Sequence, residues 1–157
     1  LGAAGDAADE GDRLSLVIGW LLGWAGEQSV IAADRGGNVA DDGVAGRMDC
    51  IDHSLTTTRL LRMLDDRRWL RFHEVREPVL RTRYLFAAHF SAQIEERAPA
   101  PLDDDVAATP QLYVVDSWFR DNGQPAVLMP LPEWLAGGGE EESSMASLVA
   151  GAPALSP

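Results

Sequence analysis

The sequence predicts an α+β domain in which N-terminal helices pack on a small antiparallel sheet. Three observations carry that expectation. Apolar residues recur at spacings of three and four from Leu14 to Ala25. A second helical pattern runs from Asp49 to about Arg67. After it the period falls to two, most clearly in YLFAAHFSAQIEE, Tyr84 to Glu96. Helical periods first and strand periods later suit helices laid on one side of a sheet built from neighbouring strands. A chain of 157 residues fits one domain around one core.

Each element has its own signals. Residues 1–11, LGAAGDAADEG, are small and acidic and read as a flexible N-terminus. Asp12 is a candidate N-cap for a helix reaching about Gln28, with Leu14, Val17, Ile18, Leu21, Leu22 and Ala25 on one stripe. Gly19 and Gly23 weaken it slightly. Trp20 and Trp24, one turn apart, are expected to pack in the core. DRGGNVADDGVAG, Asp34 to Gly46, is a loop. In the second helix, Cys50, Ser54, Thr57, Leu61 and Leu64 share the inner face, which places Cys50 in the first turn. WLRFHEV, Trp69 to Val75, reads as a strand. In Tyr84 to Glu96, Phe86, Ala88, Phe90, Ala92 and Ile94 point one way, and His89, Ser91, Gln93 and Glu95 the other. A Pro/Asp loop from Ala98 to Pro110 leads to the strand QLYVVDSWF, Gln111 to Phe119, closed by RDNG. PLPEWL, Pro130 to Leu135, suits a closing helical turn. The domain is expected over residues 12–136, with 137–157 as a disordered tail.

Charge and cysteine usage narrow the function. The formal net charge of −12 argues against nucleic acid, whose phosphates need a basic surface. Every basic residue is arginine, and eight arginines lie between Arg59 and Arg83 against four acids; that island reads as a solvated helix and loop surface. The longest apolar stretch, Leu14 to Gly26, falls short of the ~20 residues of a membrane span. The lone cysteine excludes an internal disulfide. The chain begins at Leu1 without methionine, which suggests a removed leader or a fragment, and no signal peptide is visible.

Chemistry centres on Cys50 in RMDCIDHS. A thiol attacks carbonyls as the thiolate, which a helix N-terminus and an imidazole both favour. Three histidines compete for that role. His53 lies on the same helix, reads mainly as a surface residue and is the alternative base. His73 has no carboxylate partner that spacing places beside it. His89 gains one if the strands 84–96 and 111–119 are antiparallel neighbours. Its index and that of Asp116 sum to 205, which centres the hairpin between Leu102 and Asp103, inside the Pro/Asp loop. Asp116 would then orient the ring and leave the other nitrogen for the sulfur, as in acyl-transfer enzymes. A one-residue slip would separate the pair.

DCID, Asp49 to Asp52, resembles the DCxD pattern of bacterial transglutaminase-like cysteine proteinases. VDSWF, Val115 to Phe119, is similar to the Asp- or Asn-Ser-Trp segment of papain relatives. The chain order Cys, His, Asp agrees with that superfamily, and the resemblance covers about residues 36–135. It implies a papain-like, transglutaminase-like core, a Cys50–His89–Asp116 triad, and Trp118 shielding the His–acid bond from water. His89 lacks the tryptophan that often follows the family's histidine, the loop to Asp116 is long, and the chain is small for a peptidase. The Cys50 N–H is the natural oxyanion donor, and Asn38, the only side-chain amide between Asp34 and Cys50, could add a second; in GGN it also suits a turn.

The expected activity is hydrolysis of a peptide or amide bond in a protein or peptide substrate through an acyl-enzyme, with transfer to an amine as a variant. The alternative is a non-catalytic peptide-binding module of the same fold; a sensor thiol at Cys50 is a third reading. No cofactor is expected. Cysteine and histidine spacing does not suit zinc; Asp41, Asp42, Asp49 and Asp52 are ligand types that calcium takes, without an EF-hand spacing. The lysine-free composition is associated with GC-rich bacteria, leaving cytoplasm or periplasm open.

Overall fold

The computed structural model describes residues 3–37, 48–83, 87–97 and 110–139. Helix α1 spans Ala7–Glu27 and is followed by a short 3-10 turn, Val30–Ala33; helix α2 spans Cys50–Asp66. Four strands follow, β1 His73–Arg83, β2 Ala87–Glu96, β3 Leu112–Asp116 and β4 Val127–Pro130, and then the short helix α3, Leu131–Leu135. The strands form one antiparallel sheet in the order β1-β2-β3-β4. The α+β expectation therefore stands, with two long helices ahead of a small antiparallel sheet. Among the described residues no helix is long and apolar enough to cross a membrane.

The two sheet faces are covered differently. Ala92 and Ile94 of β2 and Val115 of β3 pack with Leu14, Ile18 and Leu22 of α1 and with Leu61 and Leu64 of α2. Val114 and Val127, pointing the other way, pack with Phe119 and with Trp134 of α3. Period-two alternation thus buries both faces, one under the long helices and one under α3 and the turn that follows β3.

Helix α1 begins at Ala7, ahead of the Asp12 cap that the sequence suggested. The Asp6 carboxylate accepts the Asp9 N–H at 2.8 Å and is the N-cap. The earlier start matters because it carries Glu10 into the interior. Its carboxylate accepts the backbone N–H groups of Arg71 (2.7 Å), Phe72 (3.0 Å) and His73 (3.0 Å), and it lies 3.0 Å from His73 Nδ1. Glu10 is the carboxylate partner that the spacing could not supply for His73.

Trp20 and Trp24 are 56% and 57% exposed, contrary to the expected core packing. The buried stripe is Leu14, Ile18 and Leu22, and residues two positions off it lie on the opposite side of the helix. Gly19 serves the inner side. A Cβ there would sit 2.4 Å from the Gln124 carbonyl oxygen, so its absence lets the 121–126 turn lie directly on α1.

Helix α2 ends in a Schellman motif. Arg68 N donates to Asp65 O (2.7 Å) and Trp69 N to Leu64 O (3.1 Å), with Arg68 at φ 58°. That turn displaces the first strand from the expected Trp69–Val75 to His73–Arg83. The arginine island is therefore partly strand, and Arg81 is buried rather than solvated. Strand β4 was not anticipated, because four residues ending on Pro130 carry too short a pattern to read.

Candidate active site

His89 and Asp116 lie on the sheet face that α3 covers. The β2–β3 register pairs Ala92 with Val115 and Gln93 with Val114. Continued one step, it sets Asp116 across from Ser91, so His89 is its diagonal neighbour rather than its direct partner. The expected register was off by two residues, an even number, and the pair kept its face. A histidine spans the diagonal, and Nε2 lies 2.7 Å from Asp116 Oδ2.

The carboxylate is fully engaged. Oδ2 also accepts the Trp134 indole N–H at 2.9 Å, and Oδ1 accepts the Trp118 backbone N–H at 3.1 Å. All these partners donate, so Asp116 acts as acceptor only. That assigns the hydrogen of a neutral His89 ring to Nε2 and leaves the lone pair on Nδ1. Asp116 is 2% and His89 8% exposed. The imidazole lies among the rings of Trp118, Phe119 and Trp134, at centroid distances of 4.7, 5.1 and 5.6 Å. Apolar rings exclude water from the His–Asp bond and raise its electrostatic strength.

Trp134 was not among the expected site residues. Its seat depends on Arg81, which stands across from His89 in the β1–β2 ladder. The Arg81 guanidinium donates to the Trp134 and Gly138 carbonyl oxygens and lies 4.5 Å over the indole ring. A cation at the C-terminal end of α3 thus fixes the indole that donates to Asp116. The available signal was chemical: a buried tryptophan needs an acceptor for its N–H.

Cys50 opens α2 and is partly buried. Its Sγ lies 4.0 Å from the carbonyl oxygen of Ala88, the residue just before His89. Asp49 caps the helix, taking the Asp52 N–H on its side chain (2.8 Å) and the His53 N–H on its carbonyl (3.0 Å). The Cys50 and Ile51 N–H groups are the two of the first turn that this cap does not take. The Trp118 ring lies against that of His89. Asn38 lies outside the described residues, as do Asp41 and Asp42.

His53 is not the surface residue the helix pattern suggested. It is 3% exposed, with Nε2 2.8 Å from Asp34 Oδ2 and Nδ1 2.8 Å from Ser117 Oγ. Both ring nitrogens are occupied, so it offers none to the sulfur. Among the described residues no group of three or more His, Cys, Asp and Glu side chains converges to hold a metal ion.

No family model, curated protein or solved structure matches the chain significantly.

Proposed function

We propose that the protein is a thiol-dependent acyl-transfer enzyme of the transglutaminase-like, papain-like kind, which hydrolyses peptide or amide bonds. The observation that carries this reading is the buried His89–Asp116 couple, closed at 2.7 Å and placed one residue from the carbonyl that Cys50 touches. Nδ1 of His89 takes the thiol proton, and the sulfur attacks the substrate carbonyl carbon. The resulting oxyanion is met by the Cys50 N–H at the start of α2. His89 then returns the proton to the leaving amine, giving a thioester on Cys50. Water, deprotonated by the same ring, releases the acid and restores the thiol. Asp116 holds the ring through Nε2 and balances the imidazolium charge in each half-reaction. In the structure Sγ meets the Ala88 carbonyl rather than the imidazole, so the mechanism requires ring and sulfur to close on each other when substrate binds.

A small activated ester such as p-nitrophenyl acetate tests the reading. The expected result is a burst of nitrophenol and an acetyl group on the peptide containing Cys50, both lost in Cys50→Ala and sharply slowed in His89→Ala. Release that is the same in Cys50→Ala as in the wild type would leave only a binding module.

A further inference from the structure

The four buried polar groups that run through His53 form a second network, separate from the His89–Asp116 couple but next to it in sequence at Ser117. Asp34 Oδ2 lies 2.8 Å from His53 Nε2, His53 Nδ1 lies 2.8 Å from Ser117 Oγ, and Ser117 Oγ lies 2.9 Å from Thr57 Oγ1. Asp34 also takes the Met48 N–H on Oδ1 at 3.0 Å. Asp34, His53, Thr57 and Ser117 are each at most 4% exposed. A satisfied chain of this kind fixes position strongly, because any member that leaves strands another without a partner.

Its attachment points are specific. His53 lies one turn beyond Cys50 on α2, and Thr57 one turn further. Ser117 directly follows Asp116 and precedes Trp118, whose N–H and ring both serve the couple. Asp34 and Met48 bracket the segment that leads into α2. The network therefore joins the helix that carries the sulfur to the end of the strand that carries the carboxylate. With Asp34 as acceptor, His53 carries its hydrogen on Nε2 and Ser117 donates to Nδ1, and Thr57 donates to Ser117.

We infer that His53 is a positioning residue for the Cys50–His89–Asp116 site, acting through Ser117 to set the first turn of α2 against the end of β3. The inference rests on the proposed acyl-transfer reading. It excludes His53 as the base, since its ring is spent on Asp34 and Ser117.

The test is the rate of alkylation of Cys50 by iodoacetamide between pH 5 and pH 9, read by mass spectrometry on the folded protein. His53→Gln keeps a donor for Asp34 and loses the Ser117 bond; Ser117→Ala deletes a single hydroxyl; Ser117→Thr restores it. Displacement of a reacting group by about 1 Å costs up to ~100-fold. The expected result is a fall of about tenfold or more at pH 6 in His53→Gln and Ser117→Ala, smaller at pH 9, with recovery in Ser117→Thr. If His53→Gln does not fold, the Ser117 pair decides alone. A merely structural network would lower the melting temperature and leave the pH profile unchanged, which would overturn the inference. A wild-type thiol that alkylates no faster than free cysteine would instead overturn the acyl-transfer reading itself.

Discussion

Replacing Asp116 by asparagine isolates the charge of the couple from its geometry. The two carboxylate oxygens serve three N–H donors, at 2.7, 2.9 and 3.1 Å. An asparagine offers one oxygen and one NH2 group. With the oxygen in the Oδ2 place, His89 and Trp134 keep their acceptor, and the new NH2 faces the Trp118 N–H. With the amide reversed, two buried donors lose their partner, so the first arrangement prevails. One stranded backbone donor costs about 1–3 kcal/mol. For a domain of this size that lowers the melting temperature by about 2–4 °C for each kcal/mol. The ring keeps its tautomer, because the amide oxygen still takes the Nε2 hydrogen, but the imidazolium loses its counter-charge. A loss of about 1.4 kcal/mol of charge stabilisation is a tenfold effect. Asp116→Asn should therefore alkylate with iodoacetamide at pH 6 at least about tenfold more slowly than wild type while remaining folded by circular dichroism. Wild-type alkylation in a variant that melts at the wild-type temperature would refute both the bonding and the role assigned to the carboxylate.

Three further outcomes test the fold that positions the site. Gly19→Ala should destabilise by about 1–3 kcal/mol in chemical denaturation, although alanine is the better helix former by ~1 kcal/mol, because its Cβ would meet the Gln124 backbone at 2.4 Å; a stabilised variant would show that the 121–126 turn does not lie on α1. Arg68→Gly should stabilise by about 1 kcal/mol, since φ 58° suits glycine and strains arginine; a loss of stability would contradict the Schellman geometry. Glu10→Gln should cost about 1–3 kcal/mol, because its NH2 group must face at least one of the Arg71, Phe72 and His73 N–H donors. Faster amide exchange at those three positions would locate the loss, and unchanged exchange would speak against it.

The parts of this molecule that were legible in the sequence are those written in local periodicity. The start of α2 could be read because Asp49 caps it and Leu61 and Leu64 continue its buried stripe. The His89–Asp116 face could be read because alternation fixes a residue's side. The register was off by two because alternation repeats every second residue and cannot tell one even slip from another. Trp20 and Trp24 were placed inside as a pair one turn apart, while their helical phase, off the Leu14–Ile18–Leu22 stripe, pointed outward. Glu10 and Asp34 were illegible for a different reason. Each is a buried carboxylate whose partners lie far along the chain, Glu10 with residues 71–73 and Asp34 with His53, and no local pattern marks such a pairing. His53 carried a faint signal, since it lies one turn before the buried Thr57 on the same helix. Trp134 was visible as part of a closing turn but not as a donor to the acid, because that contact depends on β4 and Arg81 returning α3 to the sheet.

The most direct measurement of the central claim is the second-order rate of Cys50 alkylation by iodoacetamide at pH 6, in the wild type and in His89→Ala. The wild-type sulfur should react much faster than free cysteine and lose most of that advantage when the ring of residue 89 is removed. Equal rates in the two proteins, both at the level of an ordinary thiol, would contradict the claim.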